Sequence, residues 1–276
     1  MIDAHIQLIF PEILSMDQIQ KEKFITLSFP KKKDLNFLKE NNAYCCLKKL
    51  QNENLYKDWK FYCYGFSCEE DMINYSQNKL LLKNFKLLKQ KIIPIGVINP
   101  FNYYLNNLNL IINNFSGVHF KLDWLSYRKS NNDNFYYLLE CLDKNNLILF
   151  LHMNYIYSFG NKSKINYVKF LSEILDRFPN LNVVLEHCGG GIFLAETYDL
   201  WRNKFESTYY SISSPRSLKL IKLLFDVVPE ERIIFGSDYP FCNNMNPVEY
   251  KNILQKELPN INFENLGLKL FNITRK

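Results

Sequence analysis

Short apolar runs rich in β-branched and aromatic residues recur along the chain. They lie at Met1 to Leu8, Ile92 to Ile98, Gly117 to Leu122, Leu147 to Met153, Asn182 to His187, Thr208 to Ile212 and Arg232 to Asp238. Runs this apolar belong to strands covered on both faces, the habit of a parallel sheet. Most are followed by a segment with helical spacing. Residues 165–178 place Ile165, Val168, Leu171, Leu175 and Phe178 on one face, with Ser163 as candidate cap and Pro179 as the stop. Residues 215–228 open with Ser214 and Pro215, a cap followed by proline in the first turn, and end at Pro229. A repeat of roughly 25–35 residues suits a strand plus its crossover helix.

These strands need one more to close a ring. Phe24 to Phe29 and Phe61 to Phe66 are the candidates for the second strand, with an irregular segment around residues 30–60. The expected fold is α/β, a (β/α)8 TIM barrel forming a single domain over residues 1–276, since such barrels take about 250 residues. An open doubly wound sheet is the runner-up, but no glycine-rich phosphate loop follows the first strand.

Composition adds bounds rather than detail. A chain of 276 residues that is 47% hydrophobic buries a full core without a metal or disulfide staple, so a metal, if bound, would serve chemistry. The net charge of +6 and the 16% aromatic content suggest a nucleic-acid surface at first sight. However, Lys, Asn, Ile, Phe and Tyr share A/T-rich codons and the lysines are scattered, the longest run being Lys31 to Lys33. The basic, aromatic cast therefore reads as base composition. The seven cysteines are odd in number, have no repeated CxxC spacing and follow no N-terminal signal, so reduced thiols in a cytoplasmic protein are expected. No apolar stretch is long enough to span a membrane.

The four histidines carry more information. His5, His119, His152 and His187 all fall in predicted strands or at their carboxyl ends, the end where barrels build active sites. Asp238 breaks the last apolar run in the segment Phe235-Gly236-Ser237-Asp238-Tyr239-Pro240. Strict alternation puts Asp3, His5 and Gln7 on one side of the first strand. An imidazole and an amide on the first strand, imidazoles on the fifth and sixth and a carboxylate on the eighth form an N/O set for zinc, manganese or iron. Asp238 would then take a proton from water as general base. For any single histidine the plainer reading is a hydrogen-bonded core residue; the joint placement of all four argues for a site. Asp3 either satisfies backbone groups at the barrel floor or precedes the ligand.

The segments Ile2-Asp3-Ala4-His5-Ile6-Gln7, Leu149-Phe150-Leu151-His152, Val183-Val184-Leu185-Glu186-His187-Cys188-Gly189-Gly190 and Phe235 to Pro240 resemble the amidohydrolase superfamily. The likeness is to its amidohydrolase-related branch of lactonases, lactone hydrolases and non-oxidative decarboxylases of aromatic acids. The resemblance implies a distorted barrel holding one divalent metal. His5 and His152 would be ligands, Asp238 a ligand and proton acceptor, and His187 a group beside the metal that polarises substrate or positions water. Family members usually carry His-x-His on the first strand, where this chain has Gln7. An amide oxygen is a poorer zinc donor than imidazole, which shifts preference towards harder ions. Gln7 is thus a weak ligand, a substrate contact in a metal-free site, or a mark of lost catalysis.

His119 and Lys121, two apart on the fourth predicted strand, are expected to touch substrate or fill the barrel, one of them satisfied there by Asp123 or Glu186. An inward Lys121 suits a carboxylate or carbonyl oxygen. Tyr239, with Phe241, Trp124 and Tyr127, is expected to shape the pocket. Gly189 to Gly191 permit a tight loop, and Cys188 and Cys242 read as buried spectators. The leading expectation is hydrolysis of a lactone, ester or amide of a small molecule by metal-activated water. Decarboxylation of a small carboxylic acid and a degenerate, non-catalytic barrel are its rivals. The expected partner is a small-molecule substrate rather than nucleic acid or membrane; a homodimer is left open.

Overall fold

The computed structural model describes residues 1–12, 40–85, 92–121, 133–153, 166–213, 218–241 and 245–274. Strand β1 (Ile2–Gln7) is followed by helices α1 (Ala43–Leu50) and α2 (Glu53–Tyr56), then β2 (Lys60–Tyr64), α3 (Asp71–Phe85), β3 (Ile92–Pro94) and β4 (Gly96–Val97). Next come α4 (Leu105–Asn114), β5 (Gly117–Lys121), α5 (Asp133–Lys144), β6 (Ile148–His152), α6 (Tyr167–Arg177) and β7 (Val183–Leu185). A 3₁₀ segment (His187–Thr197), α7 (Asp199–Arg202), β8 (Thr208–Ser211), α8 (Leu218–Val227), β9 (Ile233–Ile234), α9 (Pro247–Glu257) and α10 (Leu268–Thr274) complete the order. The second strand is thus the later of its two candidates. The other, Phe24 to Phe29, lies outside the described residues, as do Lys31 to Lys33, Ser163, Ile165, Ser214, Pro215, Asp123, Trp124, Tyr127 and Cys242.

Every strand pairing is parallel. The third predicted strand breaks at Ile95 into β3, which pairs with β2, and β4, which pairs with β5. The ring is joined where first and last strands meet: Ile6 bridges Tyr239, and the N–H groups of Ala4 and Gln7 donate to the carbonyls of Phe235 (2.9 Å) and Tyr239 (3.1 Å). The result is the expected TIM barrel.

The alternation of each strand sorts its side chains into two cores. Ile2, Ala4, Tyr62, Tyr64, Ile95, Val97, Ile148, Phe150, Val184, Tyr209 and Ile234 fill the barrel, with Leu270 of α10 packed among them. The intervening residues, such as Phe61, Cys63, Val118, Phe120, Leu149, Leu151, Val183 and Leu185, pack against the helices. Helix α6 buries Leu171 and Leu175 as its spacing predicts, and its cap is Asn166, whose side chain accepts the N–H of Lys169 (3.1 Å). Among the described residues no helix is long and apolar enough to cross a membrane.

One buried ion pair ties the segment after β7 to the sheet. Both nitrogens at the end of Arg232 reach the carboxylate of Glu196, and the guanidinium also donates to the carbonyls of Phe205 (2.7 Å) and Thr208 (3.3 Å). The Tyr210 hydroxyl donates to the same carboxylate at 2.6 Å. Glu196 is the penultimate residue of the 3₁₀ segment that His187 begins, so this pair fixes the far end of that segment. Removing one partner leaves a charge stranded in the interior. Arg232→Met is therefore expected to cost about 3–5 kcal/mol in urea unfolding; a loss below about 1 kcal/mol, the range of exposed pairs, would contradict this role.

Candidate metal centre

The register of β1 sets the first ligand. Asp3 pairs with Phe61 and Ile6 with Cys63, so β1 holds one residue more than β2 over this stretch. This bulge breaks the alternation. Asp3 lies on the outer face with Phe61, while Gln7 pairs with Tyr64 on the inner face and His5 packs against the Tyr64 ring. The expectation that Asp3, His5 and Gln7 share one side is thus corrected for Asp3. One oxygen of Asp3 accepts the backbone N–H groups of His5 (3.0 Å) and Ser237 (2.9 Å), the backbone-satisfying alternative. Burial pushes its carboxyl up to about 6 against those two hydrogen bonds. Gly236 allows the two strands to approach: a Cβ there would stand 2.3 Å from Ser211 Oγ and 3.0 Å from His5 Cβ.

Four ring systems then gather around two anchors. Ser213, just past β8, is the first. Its Oγ lies 2.9 Å from His5 Nδ1 and accepts the His187 N–H at 3.2 Å. Its carbonyl accepts from His187 Nδ1 at 3.0 Å, and because a carbonyl only accepts, the proton of His187 sits on Nδ1 and Nε2 is the basic nitrogen. Glu186 is the second anchor. One of its oxygens is 3.0 Å from His152 Nδ1 and 3.4 Å from His119 Nε2; the other accepts the Tyr64 hydroxyl and lies 3.6 Å from His5 Nδ1. The rings of His5 and His187 are 5.2 Å apart and those of His152 and His187 4.7 Å.

Asp238 closes the set. It takes a left-handed backbone (φ 57°), as does His187 (φ 54°), and both residues retain slight exposure. Oδ1 of Asp238 stands 3.0 Å from Nε2 of His5, yet that nitrogen is buried with no aligned hydrogen bond among the described residues. With His5 protonated the contact is an ion pair; with that proton displaced, the two lone-pair donors would fit a shared cation, since ligand atoms about 2.0–2.2 Å from an ion stand about 3 Å apart across a right angle. His152 and His187 each have Nδ1 engaged by a protein group, the kind of hydrogen bond that orients metal-ligating imidazoles. Ligand atoms of His5, Glu186 and His187, and of His119, His152 and Glu186, lie within 4.8 Å of one another.

The charges of the site are coupled. Burial disfavours a charged His5, but Glu186 and Asp238 overcome this and raise it to about 9. Burial likewise opposes charge on Glu186 and Asp238, and the neighbouring imidazoles, His5 foremost, hold both carboxyls below their ordinary values. Burial lowers His187 to about 4, helped by the nearby His152, and it lowers His119 and His152 as well. His187 is therefore neutral and Asp238 ionised near pH 7.

The structure brings His5, His152, His187 and Asp238 together, with Gln7 on the same interior face. Lys121 pairs with His152 in register, and its Nζ lies 4.2 Å from the centre of the Phe66 ring. His119 is wholly buried deeper in the barrel, stacked 4.2 Å from Tyr64, with Nδ1 2.6 Å from Ser67 Oγ; both its nitrogens face protein groups. Tyr239 points the other way, into the outer core beside α1, where Cys46 is its neighbour. Cys188 is buried, and burial pushes its thiol up to about 12, as befits a spectator. Sequence reasoning named Glu186 only as a partner for His119 or Lys121, and the structure puts it 3.4 Å from His119 Nε2; its contacts with His152, Tyr64 and His5 were not foreseen. Tyr64, Ser67 and Ser213 are site groups that sequence reasoning did not single out.

The sequence model of the amidohydrolase family matches residues 113–264, more than half of the chain. No curated protein matches the sequence significantly. Among solved structures, 5-carboxyvanillate decarboxylase from Sphingomonas paucimobilis superposes with a TM-score of 0.71 at 14% identity, covering 99% of this chain and 98% of its own. Dihydroxybenzoic acid decarboxylase from Polaromonas sp. JS666, with bound manganese and the inhibitor 2-nitroresorcinol, gives 0.71 at 12% identity, covering 99% and 96%. A protein from Acinetobacter baumannii described as a probable 2-pyrone-4,6-dicarboxylic acid hydrolase gives 0.64 at 14%, covering 100% and 99%. With its later strands matching the family's sequence and its full length following the family's barrel, this chain belongs to the amidohydrolase superfamily, in the amidohydrolase-2 branch.

Proposed function

We propose that the protein is a metal-dependent enzyme that hydrolyses a lactone, ester or amide of a small organic acid. The observation that carries this is the approach of His5 Nε2 and Asp238 Oδ1 to 3.0 Å without hydrogen-bond alignment, with the Nδ1 atoms of His152 and His187 already held from behind. His5, His152 and Asp238 would hold one divalent ion, with the Gln7 amide oxygen as a weak further donor. Two imidazoles, a carboxylate and an amide suit zinc, and the amide extends the range towards manganese or iron.

When bound, such an ion supplies Lewis-acid polarisation of a substrate oxygen and makes water acidic enough to attack at neutral pH. The chain's own groups do the rest. Asp238 is ionised and can take the proton of the attacking water. His187, neutral with its basic Nε2, can orient that water or accept a hydrogen bond from substrate. Lys121, on the interior face beside His152, would supply a counter-charge to negative charge on the substrate or its tetrahedral oxygen. The base forms of His187 and Asp238 are those that hydrolysis requires. A second reading, decarboxylation of a small carboxylic acid, is favoured by the buried Lys121 and by the decarboxylases among the similar structures. There the C–CO₂ bond breaks, its electron pair stays on carbon, and a proton must be delivered to that carbon.

Protein purified without chelator is expected to carry one divalent ion per chain by elemental analysis. Asp238→Asn is expected to lower kcat by about 10²- to 10⁴-fold while the circular-dichroism spectrum stays unchanged. Absence of a stoichiometric metal together with undiminished turnover in that variant would defeat the proposal. Turnover in ¹⁸O-water is expected to place label in a product carboxylate; release of carbon dioxide with no label fixed would favour decarboxylation instead. Because a metal must displace the proton that His5 holds up to about pH 9, apparent metal affinity is expected to rise with pH and level off near that value. Chelator competition from pH 6 to 10 checks it, and a flat profile would remove His5 from the ligand set.

A further inference from the structure

We propose that Glu186 is the positioning residue of this centre, the carboxylate that dictates which nitrogen of His152 faces the ion. The inference rests on the metal-dependent reading above. Glu186 is wholly buried, and its two oxygens meet groups from four strands: His152 Nδ1 at 3.0 Å (β6), His119 Nε2 at 3.4 Å (β5), the Tyr64 hydroxyl (β2) and His5 Nδ1 at 3.6 Å (β1). An ionised carboxylate accepts and never donates, so an imidazole nitrogen within hydrogen-bond reach must turn a proton towards it. For His152 this puts the proton on Nδ1 and makes Nε2 the ligating nitrogen. The other two imidazoles near the mouth lean on a different group: Ser213 meets Nδ1 of His5 with its hydroxyl and Nδ1 of His187 with its carbonyl. His152 depends on Glu186 for the same service. The carboxylate also strengthens the imidazole as a donor, the effect by which such partners raise metal affinity.

The chain has only four histidines, so long-range ¹H–¹⁵N spectra of the metal-free protein can resolve each tautomer. Wild-type protein is expected to show His152 with its proton on Nδ1. Glu186→Met, which fills similar space without an acceptor, is expected to mix the two His152 tautomers and to weaken zinc binding about ten- to hundredfold in competition with a chromogenic chelator. Glu186→Gln keeps an acceptor oxygen and should fall between. A His152 that keeps its proton on Nδ1 in the methionine variant, or wild-type zinc affinity in that variant once folded, overturns the proposal. Should the methionine variant not fold, the glutamine variant decides: affinity within about twofold of wild type overturns it and a loss of about tenfold or more supports it. Wild-type protein that takes up no zinc would sink the metal-dependent reading, while the tautomer spectra would still judge Glu186.

Discussion

The carboxylate of Asp3 binds the N–H of His5 on the first strand and that of Ser237 on the last, and the geometry of the centre depends on that clamp. A barrel is a sheet whose two ends must find each other, and here the seam lies beside the ligands. Each backbone group held by Asp3 belongs to, or directly precedes, a residue of the His5–Asp238 pair. Gly236 completes the seam by giving up a side chain where the strands crowd. The cost is visible in Asp3 itself, whose charge burial disfavours. A polar clamp is used where an apolar contact could not fix direction: hydrogen bonds specify angles, and two ligands from opposite ends of the chain need them.

Around the seam the interior is arranged as imidazoles about one buried anion. Glu186 would be costly alone in a barrel core, since an unpaired charge is poorly tolerated there. It is stabilised because His152 and Tyr64 donate hydrogen bonds to it and the imidazoles of His5 and His119 stand close by, at 3.6 and 3.4 Å. The arrangement leaves the deep layer, His119 with Ser67 and Tyr64, as structural support and the upper layer, His152, His187 and Asp238, nearer the barrel mouth. The three residues of that upper layer retain slight exposure, whereas His119 has none.

Much of this was legible in the sequence, and the failures share a cause. Strand runs and helix faces follow from period and burial, so β5, β6 and α6 fall where the pattern puts them within a residue or two. The placement of His5, His152, His187 and Asp238 at one end follows from parallel topology alone. What periodicity does not carry is the exception to periodicity. A single extra residue in β1 turned Asp3 outward, and a left-handed residue before Tyr239 sent that ring to the outer core. The cap of α6 sits at Asn166 because several polar residues near the helix start compete for that place. Glu186 was legible only in part. Its pairing with His119 was among the readings of the sequence, but no spacing within Val183 to His187 reveals its contacts with His152, Tyr64 and His5.

The run of left-handed backbone from His187 through Gly191 has a consequence for how such a barrel can be re-tasked. Three of those five residues are glycines at positive φ, where a side chain is strained, and His187 is held by hydrogen bonds to Ser213. Asp238 is similarly committed by its own backbone. The backbone that positions His187 and Asp238 therefore tolerates few substitutions, and changes in what such a barrel binds fall more easily on surfaces those turns do not touch. A barrel built this way can be altered in its loops without rebuilding the two turns that place His187 and Asp238.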